Sequence, residues 1–410
     1  MSGRVPGSRL VVTGAGAVSS AGLGVEPLAA ALAAGTPATS PIDRLDALPP
    51  RPGAGAAVAH RVTTTDLGPW LSPREARRMS PPSRWAVVAC RQALAAAGLA
   101  VPPAVDPATA VVLSSAYGAP SVTQALLDQL LAEGPEAMSP FHFMESVANA
   151  PAGQAAIHCR AGGPNHTLCQ REAGPVAVLG RAAGELAAGR AERVLAGAVE
   201  EMTPLLFSVL ERFGAVAPVA RPFDRRRRGF VPAEGATVLL VEAEAAARRR
   251  GARARARLAG WGGLFDPTAS PVGWGTGAEA LAGGLVRGLA RFGLAPGEID
   301  LVVSGGSGSR DGDRLEAAVL ARLFAGGPRP PVLAPKGVTG EYAGGFLAAA
   351  LAALAGAPLA ATAGFAEPDP ELDLVPHDGS PLGPVRRLLV TSFAAGGGGA
   401  WVILEPPDPP

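Results

Sequence analysis

The order of apolar runs in this chain repeats itself, and that repetition limits the fold more than any other feature. Short runs rich in β-branched residues alternate with longer Ala/Leu stretches of helical spacing. Residues 9–13 (RLVVT) predict an opening strand and 82–99 a helix. Residues 109–115 predict a buried strand, 174–189 a helix, and 193–199 and 236–242 two more strands. A charged connector, 242–257, predicts a solvated helix. After it the same grammar returns, with strands at 259–265, 299–304, 387–391 and 400–404 and helices at 277–292 and 312–324. This order predicts a duplicated α/β unit, each half a mostly parallel sheet covered by helices, divided at residues 1–245 and 246–410. The closing PPDPP, residues 406–410, cannot extend a sheet and predicts a frayed tail.

Composition excludes several classes. Hydrophobic residues make 48% of 410, enough for a large core and too many for a disordered chain. Charge is balanced, 36 basic against 35 acidic residues, so no electrostatic case exists for nucleic acid or an anionic membrane as partner. Nearly all the basic residues are arginine; Lys336 is the one lysine. Three cysteines, Cys90, Cys159 and Cys169, do not make a disulfide framework and fit a reducing, cytoplasmic setting. The opening MSGRVPGSRLVVTGAG has no signal-peptide apolar region. Residues 346–363 come nearest to a membrane span, but are Ala-rich and broken by Gly356 and Pro358, so a buried helix is expected.

The glycines at 13–16 and 22–24 look superficially like a dinucleotide loop. Ser19 stands where the third glycine should be, and no acidic residue ends a second strand, so a tight strand-to-helix turn is expected instead. The five histidines (His60, His142, His158, His166, His377) show no zinc-ligand spacing, and no metal is expected.

Between residues 152 and 236 several unusual strings occur in fixed order. Ala152-Gly153-Gln154 precedes Gly163-Pro164-Asn165; then come Leu195-Ala196-Gly197 with Glu200, Arg221-Pro222-Phe223-Asp224, Gly229-Phe230 and Glu234-Gly235-Ala236. This series resembles the β-ketoacyl synthases of the thiolase superfamily, the condensing enzymes of fatty-acid and polyketide synthesis. The opening VVTGAGAVSSAGLG, the strings SGGSGSRDGDRLE and APKGVTGEYAGG, and the closing TSFAAGGGGAWVILE extend the resemblance over nearly all of the chain. It implies a thiolase-like fold, two stacked sheets and three helical layers in a five-layered αβαβα sandwich.

The same resemblance implies that the chemistry is gone. A working condensing enzyme carries its cysteine nine residues after the glycine of the G-P-N string, at a helix N-terminus that favours thiolate. Counting nine from Gly163 lands on Glu172. The first histidine position falls on Gly305 and the second, after Thr339-Gly340, on Glu341, while Lys336 of that motif is retained. The family's gating phenylalanine is Ala395. Cys169, three positions before Glu172, is expected to be a buried, inert thiol without a base.

Within the family, the chain resembles the chain length factors, the non-catalytic β subunits of type II polyketide ketosynthases. This implies pairing with a catalytic ketosynthase α subunit, exchange with an acyl carrier protein, and no cofactor. The interface channel would set polyketide or polyene length during decarboxylative condensation. Residues 166–170 are the expected pairing edge strand. Many such factors carry glutamine where this chain has Glu172, so an amide-based role does not carry over. The simplest role for Glu172 is to satisfy the helix N-terminus and seal a dead pocket; a part in malonyl decarboxylation is the alternative. The helix at 120–132 would line the channel, and matching back from Glu133-Gly134-Pro135 selects Pro120, Thr123 and Leu127, which share a face. Two other readings stay open: a self-sufficient thioester-acting enzyme with Glu172 and Glu341 as acid/base carboxylates, and a homodimeric scaffold or acyl-binding module.

Overall fold

A computed structural model describes residues 9–408. The first half-sheet is built from β1 (Leu10–Ser19), β2 (Thr109–Ser114), β3 (Asn165–Leu168), β4 (Arg193–Glu200) and β5 (Gly235–Ala243). The second is built from β6 (Ala256–Phe265), β7 (Leu301–Val303), β8 (Val332–Leu333), β9 (Leu388–Phe393) and β10 (Gly398–Glu405). Their orders are β1-β5-β4-β2-β3 and β6-β10-β9-β7-β8, the same topology twice. In each, the last strand, β5 or β10, pairs antiparallel with both of its neighbours, and the remaining pairs within the half are parallel. The halves are not separate sheets. Leu10, Val11 and Val12 of β1 pair with Leu258, Arg257 and Ala256 of β6, so one eleven-stranded sheet runs through both, with the two-residue strand Gly22–Leu23 folded back on β1.

The helices complete the sandwich. α1 (Pro81–Ala96) and α3 (Ala150–Cys159) cover the outer face of the first half-sheet. α5 (Ala278–Arg291) and α6 (Arg310–Leu323) cover the outer face of the second. α4 (Gly174–Ala187) and α7 (Leu347–Leu354) lie between the two, packed against strands of both. The remaining helix that matters for the site, α2 (Pro120–Glu133), follows β2. Strand side chains divide by alternation: Ala110 and Val112 face the central layer, Val111 and Leu113 the outer one. Burial on both faces is why these strands read as unbroken apolar runs. Each buried Leu or Val contributes on the order of 1.5–3 kcal/mol. The expected thiolase-like α/β architecture is the one observed.

Two local expectations change. Residues 13–16 do not turn; β1 continues to Ser19, with a bulge between Val12 and Gly14. The glycines serve close packing instead: a Cβ on Gly14 would stand 2.0 Å from the Ala93 carbonyl oxygen, and one on Gly16 2.1 Å from that of Ala89. Nor is the charged connector one solvated helix. Only Glu244–Arg249 is helical; Glu242 is buried in β5, accepting from Thr13 Oγ1 and from the Arg250 guanidinium, and Ala256 already belongs to β6. The segment around 346–363 is a short buried helix, α7, closed by Gly356 at φ 72°. β10 ends at Glu405; the last two residues of the tail at 406–410 lie outside the described ones. Among the described residues no helix is long and apolar enough to cross a membrane.

Candidate functional site

Glu172, Gly305, Glu341 and Ala395 all lie in segments that follow the carboxyl ends of strands, where parallel α/β sheets place their ligands. Glu172 sits in the 3-10 turn Arg171–Ala173 between β3 and α4. Gly305 follows β7, Glu341 follows the short helix Lys336–Thr339 after β8, and Ala395 follows β9. Two residues in this region adopt positive φ without being glycine: Arg171 at 46° and Tyr342 at 85°.

The cluster is buried and charged. Lys336 Nζ lies 2.5 Å from Glu341 Oε1 and 4.9 Å from the centre of the Phe346 ring. The Tyr342 amide also donates to Glu341 Oε1, at 3.1 Å. The Tyr342 hydroxyl donates to Glu172 Oε1 at 3.3 Å and in turn pairs with the Tyr117 hydroxyl at 3.0 Å. Since one Tyr342 proton serves Glu172, Tyr117 donates the second bond, giving a chain Tyr117→Tyr342→Glu172. Glu172 Oε2 and Glu341 Oε2 are buried without a partner. Burial, and next the nearby Glu341 charge, push the Glu172 carboxyl up to about 7. Burial likewise pushes the Tyr117 phenol up to about 12.

Two further buried carboxylates fix the loops around this cluster. Glu316 on α6 accepts from the Gly305 amide at 3.1 Å and from Thr391 Oγ1 at 2.6 Å, and burial pushes it up to about 7. Glu200 at the end of β4 accepts from the Ala116 and Tyr117 amides and from Ser115 Oγ; burial pushes it up to about 8. Glu200 therefore sets where Tyr117 stands. Sequence reasoning picked out neither Tyr342, Tyr117 nor Glu316. The available signal was spacing: Glu316 follows Asp313 by one helical turn, and both point inward from α6.

Gly305 has no room for a side chain. A Cβ there would be 2.7 Å from Ser392 Oγ and 2.8 Å from Ser392 Cα. Ala395 is half-buried, and its carbonyl accepts from Arg171 Nη1 at 3.4 Å. Pro120, Thr123 and Leu127 lie apart from the carboxylates, on α2. Pro120 and Thr123 are half-buried, Thr123 Oγ1 donates to the Ala119 and Ser146 carbonyls, and Leu127 is 50% exposed.

Two expectations are corrected here. Cys169 is exposed, because β3 ends at Leu168 and is an edge strand with no neighbour beyond it among the described residues. Glu172 does not cap its helix: neither the turn nor α4 has a side-chain cap, and the carboxylate turns to Tyr342. Among the described residues no group of three or more His, Cys, Asp or Glu side chains is placed to hold a metal ion.

The fold is that of a condensing-enzyme scaffold, and comparison with known proteins agrees. Residues 7–247 match the N-terminal domain of β-ketoacyl synthases and 270–372 their C-terminal domain. The chain is 33% identical to a putative polyketide beta-ketoacyl synthase 2 of Streptomyces coelicolor, over 98% of this chain and 96% of that one. It is 32% identical to the oxytetracycline polyketide putative beta-ketoacyl synthase 1 of Streptomyces rimosus, over 97% of each. Among solved structures, the ishigamide ketosynthase/chain length factor superposes with a TM-score of 0.86 at 30% identity, covering 98% of this chain and 99% of that one. The chain belongs to the β-ketoacyl synthase family. Within it, the likeness is to the polyketide ketosynthase and chain length factor proteins.

Proposed function

We propose that this chain is a chain length factor: a non-catalytic β-ketoacyl synthase subunit that pairs with a catalytic ketosynthase α subunit. The observation that carries this reading is the residue set at the motif positions: Glu172, Gly305 and Glu341 stand where the family resemblance calls for cysteine and two histidines. A carboxylate is a poor acyl acceptor, since a mixed anhydride is far less stable than a thioester. In this account residues 1–245 carry the degenerate nucleophile site and 246–410 the degenerate histidine motifs. The acyl chain stays on the partner's cysteine and on acyl carrier protein, and needs no cofactor from this subunit.

Surface chemistry supports a partner. Leu131, Phe143, Met144 and Ile157 are 84%, 60%, 64% and 64% exposed, on α2, the helix Pro140–Glu145 and α3. Met144 and Ile157 line one surface groove, and exposed apolar side chains gathered in this way mark interaction sites. Leu127, half-exposed on the same helix as Leu131, would complete a channel with Pro120 and Thr123 once the partner is seated. Leu127→Phe tests this. In a co-expressed pair the added ring shortens the product; unchanged length with normal turnover removes α2 from the account.

A second reading, acid/base chemistry on a thioester by Glu172 and Glu341, draws support from the Glu172 carboxyl standing near 7. It is weaker, because Lys336 engages Glu341 and Glu172 is only 5% exposed.

A further inference from the structure

Tyr342 holds a conformation that its residue type resists. At φ 85° it lies where a bulky side chain is an outlier and glycine is at ease. Such strain persists only where the surroundings over-determine it. Here they do so on every side. The ring is 4% exposed and meets Tyr117 and Phe230 edge-on, with centroids 5.3 and 5.4 Å away. Met202, Phe207 and Phe230 form an apolar cluster with it. Its hydroxyl reaches Glu172, and its amide reaches Glu341. One side chain thus fills the space between an apolar cluster and the two carboxylates.

We infer that Tyr342 is the stopper of this subunit: it occupies the space beside Glu172 that an acyl chain would need, and so keeps the growing chain on the partner's side. The inference rests on the chain length factor reading but is tested on this chain without its partner. The ring does the excluding, and the hydroxyl secures it by hydrogen bonds to Glu172 and Tyr117. Removing the ring opens the pocket; removing only the hydroxyl leaves it closed.

The test uses an octanoyl-pantetheine thioester with a diazirine in its acyl tail. It is photolysed with the full-length chain, and the labelled peptides are located by mass spectrometry. Tyr342→Gly removes the ring and suits the backbone; Tyr342→Ala is a second opening variant, and Tyr342→Phe is the closed control. Labelling of the peptides carrying Glu172 or Phe230 is expected to rise about tenfold or more in the opened variants. Wild type and Tyr342→Phe are expected to stay at background. Wild-type labelling at those peptides overturns the inference whether or not the variants fold. So does an opened variant with native near-UV circular dichroism that labels no more than wild type. If the opened variants label but Leu127→Phe leaves product length unchanged in the pair, the channel reading fails and the stopper stands. The opposite pattern sinks the stopper alone.

Discussion

Ser392 Oγ donates a 2.6 Å hydrogen bond to the backbone carbonyl of Glu172, tying β9 of the second half to the turn that opens α4 in the first. The same serine stands where any side chain on Gly305 would have to go. The two expected degenerate positions are therefore coupled: filling one disturbs the backbone of the other.

That coupling predicts the outcome of Gly305→Ala. The new methyl would lie 2.7 Å from Ser392 Oγ, so either the serine or the loop moves. Overpacking of this kind costs about 1–3 kcal/mol. Chemical denaturation should show a loss in that range, and Gly305→His a larger one. A Gly305→His chain as stable as wild type would mean that the loop is freer than its hydrogen bond to Glu316 implies.

The buried Glu172 carboxyl gives a pH signature. Its folded value, about 7, lies above the ordinary 4.5, so the folded state holds the proton more tightly than the unfolded one. Stability from this group is complete below about 4.5 and is lost as pH rises to 7, by on the order of 3 kcal/mol. Glu172→Gln removes that dependence. Thermal melts should find it more stable than wild type at pH 8 and similar at pH 5. Equal gaps at both pH values would place the ionisation elsewhere.

Lys336 and Glu341 form a buried pair, 0% and 1% exposed at the side chain. Removing one partner strands the other, at about 3–5 kcal/mol. Lys336→Met should therefore be severely destabilised in urea unfolding, and adding Glu341→Gln should recover much of the loss. A double variant no better than the single one would show that the lysine acts through its packing on Phe346 alone.

The exposed apolar side chains predict dependence on a partner. Leu131→Asp and Ile157→Asp place charges on a surface that this account buries in the pair. Both should leave the fold intact by circular dichroism and abolish one-to-one co-purification with a catalytic ketosynthase subunit. Undiminished co-purification of both variants would move the interface to another face.

The regular architecture was readable because its strands are buried on both faces. Val111, Val112 and Leu113 need no partner information to announce a strand, nor do Leu388, Leu389 and Val390. β8 escaped notice because it is two residues long and lies between prolines. Gly14 and Gly16 were misread because a glycine in a turn and a glycine under a helix look alike in sequence; only the approach of α1 tells them apart. Within the site, Lys336, Glu172 and Glu341 came from motif spacing. The bond from Tyr342 to Glu172 spans 170 positions, a distance over which local pattern carries no information. Cys169 failed for a related reason: burial at an edge strand depends on what lies beyond the edge.

The central claim is that this chain holds no acyl group. Incubating it with acyl-loaded carrier protein, alone and with a catalytic ketosynthase subunit, and reading the intact mass of each chain tests that directly. The account predicts an acyl adduct on the partner and none on this chain in either mixture. An adduct on this chain, whether on Glu172 or on the exposed thiol of Cys169, would contradict it.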